Sequence, residues 1–174
     1  MEERNMKNIA LIGFMGAGKS TVAEALQKRY GMEIVEMDAL IIKREKMPIP
    51  EIFAQKGEAY FREKETALLA ELQEKENVVI SCGGGVPMRK ENVEIMRRNS
   101  HVVWLCAKPE TILERVRHSH DRPLLEGRKN MEYITELMEA RREKYEAAAD
   151  LRVAVDQKSA ETIADEIIEK MKEK

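Results

Sequence analysis

The sequence predicts an α/β fold in which a parallel sheet is wrapped by helices. Five short apolar runs, most of them rich in Val and Ile, alternate with longer amphipathic stretches, as strands alternate with crossover helices in a parallel sheet. A glycine-rich stretch ending in Lys-Ser joins the first apolar run to the first amphipathic stretch. The 174 residues suit one domain with a single sizeable core, and no repeat, low-complexity segment or linker divides them.

The strand candidates, in order, are Asn8–Ile12, Glu33–Glu36, 77–82, 101–106 and 150–155, each too short for a full helix. The first helix, Lys19–Tyr30, places Val22, Ala25 and Leu26 on one face and stops at Gly31. A second is expected to begin near Ala39, with Asp38 available as its N-cap. Residues 61–75 carry Leu68, Leu69 and Leu72 at helical spacing. Pro109 fits the first turn of a helix running to about residue 118. Residues 129–148 form a long charged helix, and 159–172 turn Ala160, Ile163, Ile167 and Met171 inward. Residues 119–128 are charged, contain Gly and Pro, and lack apolar periodicity, so they read as a mobile surface loop.

Composition excludes several functions. Thirty Lys and Arg against 32 Asp and Glu leave no basic footprint for nucleic acid. The longest apolar runs are far short of the ~20 residues that span a bilayer, and MEERNMKN lacks the apolar core of a secretory signal. Cys82 and Cys106 lie in apolar runs and are expected as buried thiols in a reducing compartment, with the cytoplasm as the default location. His118 and His120 have no third ligand nearby in sequence and are expected to be solvated.

The motif Gly13-Phe14-Met15-Gly16-Ala17-Gly18-Lys19-Ser20 matches G-x-x-x-x-G-K-[ST], between a predicted strand and a predicted helix. Glycines let such a loop wrap tightly and turn its N–H groups toward phosphates, and the helix N-terminus adds partial positive charge. Lys19 would reach the β- and γ-phosphates of ATP, and the Ser20 hydroxyl, followed by Thr21, would ligate Mg²⁺. This names a nucleoside triphosphate but not what is phosphorylated.

Beyond the loop, the sequence resembles the shikimate kinases along almost its whole length. The matching segments are GFMGAGKST at 13–21, Glu36-Met37-Asp38, and IFAQKGEAYFREKE at 52–65. They continue with SCGGGV at 81–86, RPLL at 122–125 and LMEARREKY at 137–145. The resemblance implies a P-loop kinase fold with a five-stranded parallel sheet of order 2-3-1-4-5 and a lid at about 118–128. It also implies transfer of the ATP γ-phosphate to shikimate, in aromatic amino-acid biosynthesis, by a protein expected to be a monomer.

By the same resemblance, Arg62 and Arg141 grip the shikimate carboxylate, a role that suits the planar guanidinium fork. Asp38 stands beside the accepting hydroxyl, and Gly83, Gly84 and Gly85 bring the backbone close to the ring. Arg122 in the lid reaches the transferring phosphoryl group, and Arg115 lies near adenine. Glu65, one helical turn after Arg62, can orient its guanidinium. The chain departs from the family's Asp-x-Asp at Glu36, which keeps the charge for the Mg²⁺ shell on a side chain one methylene longer. Ser81 is the other polar candidate near the metal. Two alternatives remain at this point: another small-metabolite kinase such as a gluconate kinase, and a nucleotide-binding module without transfer chemistry.

Overall fold

The computed structural model describes residues 7–116 and 131–173. Its strands are β1 (Asn8–Ile12), β2 (Glu33–Glu36), β3 (Val78–Ser81), β4 (Ser100–Cys106) and β5 (Leu151–Ala154). All pairings are parallel and the order is β2-β3-β1-β4-β5, as the resemblance implies.

Strand alternation sorts the apolar residues into two cores. Ile9, Leu11, Val79, Val103 and Leu105 face one side, and Ala10, Ile12, Ile80, Val102 and Trp104 face the other. Helices α1 (Lys19–Tyr30) and α8 (Ala160–Lys172) cover the first side through Val22, Leu26, Ile163 and Ile167. Helices α4 (Glu58–Leu72) and α5 (Lys90–Asn99) cover the second through Phe61, Leu68, Leu69, Ile95 and Met96. The other helices are α2 (Met37–Glu45), α3 (Ile49–Lys56), α6 (Pro109–Val116) and α7 (Met131–Ala148). Among the polar residues buried in this apolar frame, Asn8 of β1 donates to Leu72 O and Lys75 O and accepts from Val78 N. It fixes the end of α4 against the start of β3.

The bounds of β1, β2 and α1 are those predicted, and three expectations change. The helix expected at 61–75 starts at Glu58, directly after Gly57, and ends at Leu72. Asp38 is not an N-cap: α2 begins at Met37, capped by the extended backbone of Glu36, so Asp38 stands in its first turn. Cys82 is buried as expected, but Cys106 is only partly buried. The expected lid, 118–128, with His118 and His120, lies outside the described residues.

Candidate active site

The phosphate loop runs from the C-terminal end of β1 into α1. Gly13 must be small: a Cβ there would lie 2.7 Å from the backbone oxygen of Leu105 on β4, at a φ of +152°. Gly18 caps α1 with no side-chain bond, and no acidic residue occupies the first turn. The helix therefore begins with unneutralised N–H groups and partial positive charge, a ready anion site. Ser20 and Thr21 are exposed in that turn, while Ala17 is buried beneath the loop. Lys19 Nζ donates to Gly13 O at 2.7 Å and to Phe14 O at 3.3 Å, so the ammonium lies along the loop. Arg115 of α6 closes the loop's outer side, donating Nη1 to Gly16 O at 3.0 Å.

A second constellation surrounds the three glycines after β3. A Cβ at Gly83 would lie 3.0 Å from both Asp38 Oδ1 and Glu65 Oε2. At Gly84 it would lie 2.9 Å from Arg141 Nη1, and at Gly85 2.7 Å from Arg62 Nη1. Side chains from α2, α4 and α7 thus converge on a turn with no side chains of its own. Arg62, Arg141 and Gly85 line one groove of about 590 Å³, together with Glu58, Met88 and Arg89. That volume suits a small metabolite. The two constellations touch where the Arg141 guanidinium lies 5.8 Å from the ring centre of Phe14 in the phosphate loop.

The shikimate kinase family model matches residues 15–172. The shikimate kinase of Sulfurihydrogenibium sp. (strain YO3AOP1) is 42% identical over 167 residues, covering 96% of this chain and 99% of that protein. The chain belongs to the shikimate kinase family. The shikimate kinase from Acinetobacter baumannii in complex with shikimate superposes with a TM-score of 0.90 at 32% identity, covering 97% of this chain and 94% of that one. A gluconokinase from Sinorhizobium meliloti 1021 shares only the fold, with a TM-score of 0.61 at 19% identity over 98% of this chain and 94% of that one. The family carries the P-loop kinase fold and uses ATP as co-substrate.

Within this shikimate kinase framework the electrostatics are uneven. Arg62 donates Nη1 to Glu65 Oε1 at 2.8 Å and Nη2 to Glu58 Oε1 at 3.3 Å. Burial works against the Arg62 charge, but these two carboxylates more than offset it and raise its pKa. Glu65 is only 1% exposed, and burial raises its pKa even though Arg62 pulls the other way. The two directions conflict, because an ion pair alone would lower Glu65. Burial prevails, as the first carboxylate oxygen is paired while the second is desolvated without compensation. Glu65 Oε2 and Arg141 Nη1 are buried polar atoms with no hydrogen-bond partner among the described residues, and both face the glycine turn. A desolvated acceptor and a desolvated donor are thereby held ready for a polar ligand.

Of the residues predicted from sequence, Lys19, Ser20, Thr21 and Arg115 meet at the phosphate loop, and Asp38, Arg62 and Arg141 meet at the glycine turn. Glu36 ends β2 in register with Ser81, which in turn pairs with Leu11. Arg122 lies outside the described residues. Among the described residues no group of three or more His, Cys, Asp or Glu could hold a metal. Phosphate and water oxygens would have to complete any Mg²⁺ shell here, as they usually do.

Four residues of the site receive no role from the sequence, although Tyr145 ends the LMEARREKY segment. Tyr145 donates its hydroxyl to Gly84 O at 3.0 Å. Arg89 donates Nη1 to Arg62 O and to Thr66 Oγ1, each at 3.0 Å. Thr66 Oγ1 lies 2.7 Å from Asn92 Oδ1, and Asn92 Nδ2 donates to Val86 O at 2.9 Å. Apart from the short Asn92–Val86 bond, these partners lie 23 to 61 residues apart, beyond the reach of any local pattern.

Proposed function

We propose that this protein is a shikimate kinase that transfers the γ-phosphate of ATP to the 3-hydroxyl of shikimate. The observation that carries this reading is the pair Arg62 and Arg141. Both line one groove and both lie against a backbone turn whose glycines admit a ring to close approach. A ring acid with several hydroxyls needs cations at its carboxylate and carbonyl, amide or carboxylate groups at the other end. Each charge-assisted bond to the carboxylate contributes about 1.5–3 kcal/mol.

Around that anchor, Asp38 beside Gly83 orients the accepting hydroxyl and takes its proton as the new P–O bond forms. The start of α1 and Lys19 hold the phosphates, and Arg115 flanks the nucleotide. Ser20, in the first turn of α1, and Glu36, at the end of β2, bear hard oxygen donors and would hold a Mg²⁺ together with oxygens of phosphate and water. When bound, the ion supplies charge neutralisation on the phosphate oxygens. Arg122 is assigned the same task from the lid side. Transfer is direct and in line. Burial pushes the Cys82 thiol up to about 12, so it stays protonated and is no nucleophile.

A single domain, with residues 38–66 forming most of the acceptor side, serves aromatic amino-acid biosynthesis in the cytoplasm. Two free cysteines fit a reducing compartment, and no helix among the described residues is long and apolar enough to cross a membrane. The test is ADP release from Mg·ATP with shikimate, with gluconate, or with neither. Release that depends on shikimate alone supports the reading, and release indifferent to shikimate overturns the acceptor assignment while leaving the nucleotide site in place.

A further inference from the structure

Each arginine at the triple glycine is followed four residues later by a hydroxyl that ties its own helix to that turn. On α7, Arg141 is followed by Tyr145, whose hydroxyl donates to Gly84 O at 3.0 Å. On α4, Arg62 is followed by Thr66, which reaches the turn through one intermediary. Arg89 donates to both Arg62 O and Thr66 Oγ1, and the Thr66 hydroxyl donates to Asn92 Oδ1 at 2.7 Å, the nearer of its two acceptors, the other being Arg62 O of its own helix at 3.0 Å. Asn92, fully buried, then donates to Val86 O, and Val86 N closes the turn onto Gly83 O at 3.1 Å.

We propose that Thr66 and Tyr145 are positioning residues that set the gap between the two guanidinium groups and the glycine backbone. This rests on the reading above, in which Arg62 and Arg141 hold the acceptor's carboxylate. Both helices are already fastened to the sheet by apolar contacts: Phe61, Leu68, Leu69 and Leu72 from α4, and Ile134 and Ala148 from α7. The hydroxyl bonds are thus not needed to hold the helices down. What they reach is the turn itself, Gly84 O directly from Tyr145 and Val86 O through Asn92 from Thr66, one turn of helix away from the groups that meet the substrate. A side chain four residues on lies over the same helix face, so each hydroxyl fixes the local height of its arginine above the turn. Small misplacements of a binding group cost large factors in affinity and rate.

The test uses Thr66→Val and Tyr145→Phe, which keep shape and remove the hydroxyl, in steady-state assays with shikimate and ATP. Each is expected to raise the KM for shikimate about tenfold while the KM for ATP stays within about twofold. Thr66→Ser is expected to restore the shikimate KM. In an Arg62→Lys background Thr66→Val should change the shikimate KM less than about twofold, as should Tyr145→Phe in Arg141→Lys, because each acts through its arginine. Equal changes in both KM values, equal fold-losses in the arginine backgrounds, or a Thr66→Ser variant as poor as Thr66→Val would each overturn the proposal. A wild-type enzyme without shikimate turnover would instead remove the functional reading, and this inference with it.

Discussion

Glu65 holds Arg62 with one oxygen and presents the other to the glycine turn. Its Oε1 accepts from Arg62 Nη1 at 2.8 Å, while its buried Oε2 faces Gly83, where a Cβ would also meet Asp38. The same carboxylate that steadies the cation therefore brings a second negative charge beside Asp38. Burial raises the Glu65 pKa, and the Asp38 charge adds to it against the pull of Arg62.

The raised pKa has a defined sign in stability and in activity. A carboxyl with a higher pKa in the folded state binds a proton more readily there than when unfolded. Its stabilising contribution is complete below the ordinary value of 4.5 and is lost as pH rises through the raised value. In Glu65→Gln the melting temperature should accordingly fall less than in wild type as pH rises from 4.5 toward neutrality. In activity the ionised form is the one that pairs with Arg62. The kcat/KM for shikimate should fall on the acid side at a pH above the usual glutamate range, and Glu65→Gln should remove that part of the limb. A limb unchanged in the variant would exclude Glu65 as its source.

Arg62→Ala should raise the KM for shikimate by ten- to a hundredfold or more, as expected for loss of charge-assisted bonds of about 1.5–3 kcal/mol each. Arg62→Lys should recover only part of this, because an ammonium cannot bond Glu65 and a carboxylate with one planar fork. The KM for ATP should stay near wild type in both. A parallel rise in both KM values would show that Arg62 serves the fold rather than the acceptor.

Two glycine substitutions with equal clashes should fail in different ways. Alanine at Gly85 meets Arg62 Nη1 at 2.7 Å, the far end of a flexible side chain that can swing away. Gly85→Ala should therefore keep its melting temperature and lose shikimate affinity. Alanine at Gly13 meets the backbone oxygen of Leu105 at the same 2.7 Å, where only movement of β4 or of the loop gives relief. Gly13→Ala should lose about 1–3 kcal/mol of stability. Thermal unfolding of the two variants side by side decides this.

What could be read from the sequence follows how local each signal is. β1, β2 and α1 have their predicted bounds because Val/Ile runs, the phosphate-loop motif and Gly31 mark them within a few residues. Helix α5 was not expected, since one of its three buried positions is Asn92 and its apolar stripe is short. The start of α2 was misplaced because Glu36 leads straight from strand into helix, with no loop residue to mark the boundary. At the site, Arg62 and Arg141 stand within charged runs that resemble solvated faces. Their burial against Gly85 and Gly84 depends on contacts more than 20 residues away in sequence, so only the flanking motif segments singled them out. The Thr66–Asn92 bond spans 26 residues and left no trace at all.

Glu36 stands where the family pattern has aspartate, and its position allows its metal role to be separated from its structural one. It ends β2 beside Ser81 and caps α2 through its backbone alone, its side chain making no cap bond. Removing the side chain thus forfeits no hydrogen bond of the helix start, and Glu36→Ala should melt within a few degrees of wild type. If its carboxylate steadies the water shell of a phosphate-bound Mg²⁺, the variant should need several-fold more Mg²⁺ for half-maximal turnover, with the KM for shikimate unchanged. The gain in ADP affinity on adding Mg²⁺ should shrink in proportion, which reads the metal without reading catalysis. Glu36→Asp should restore both quantities, because the charge matters more than one methylene when water lies between carboxylate and ion. Mg²⁺ dependence identical to wild type in both measurements would leave Glu36 as no more than the end of a strand.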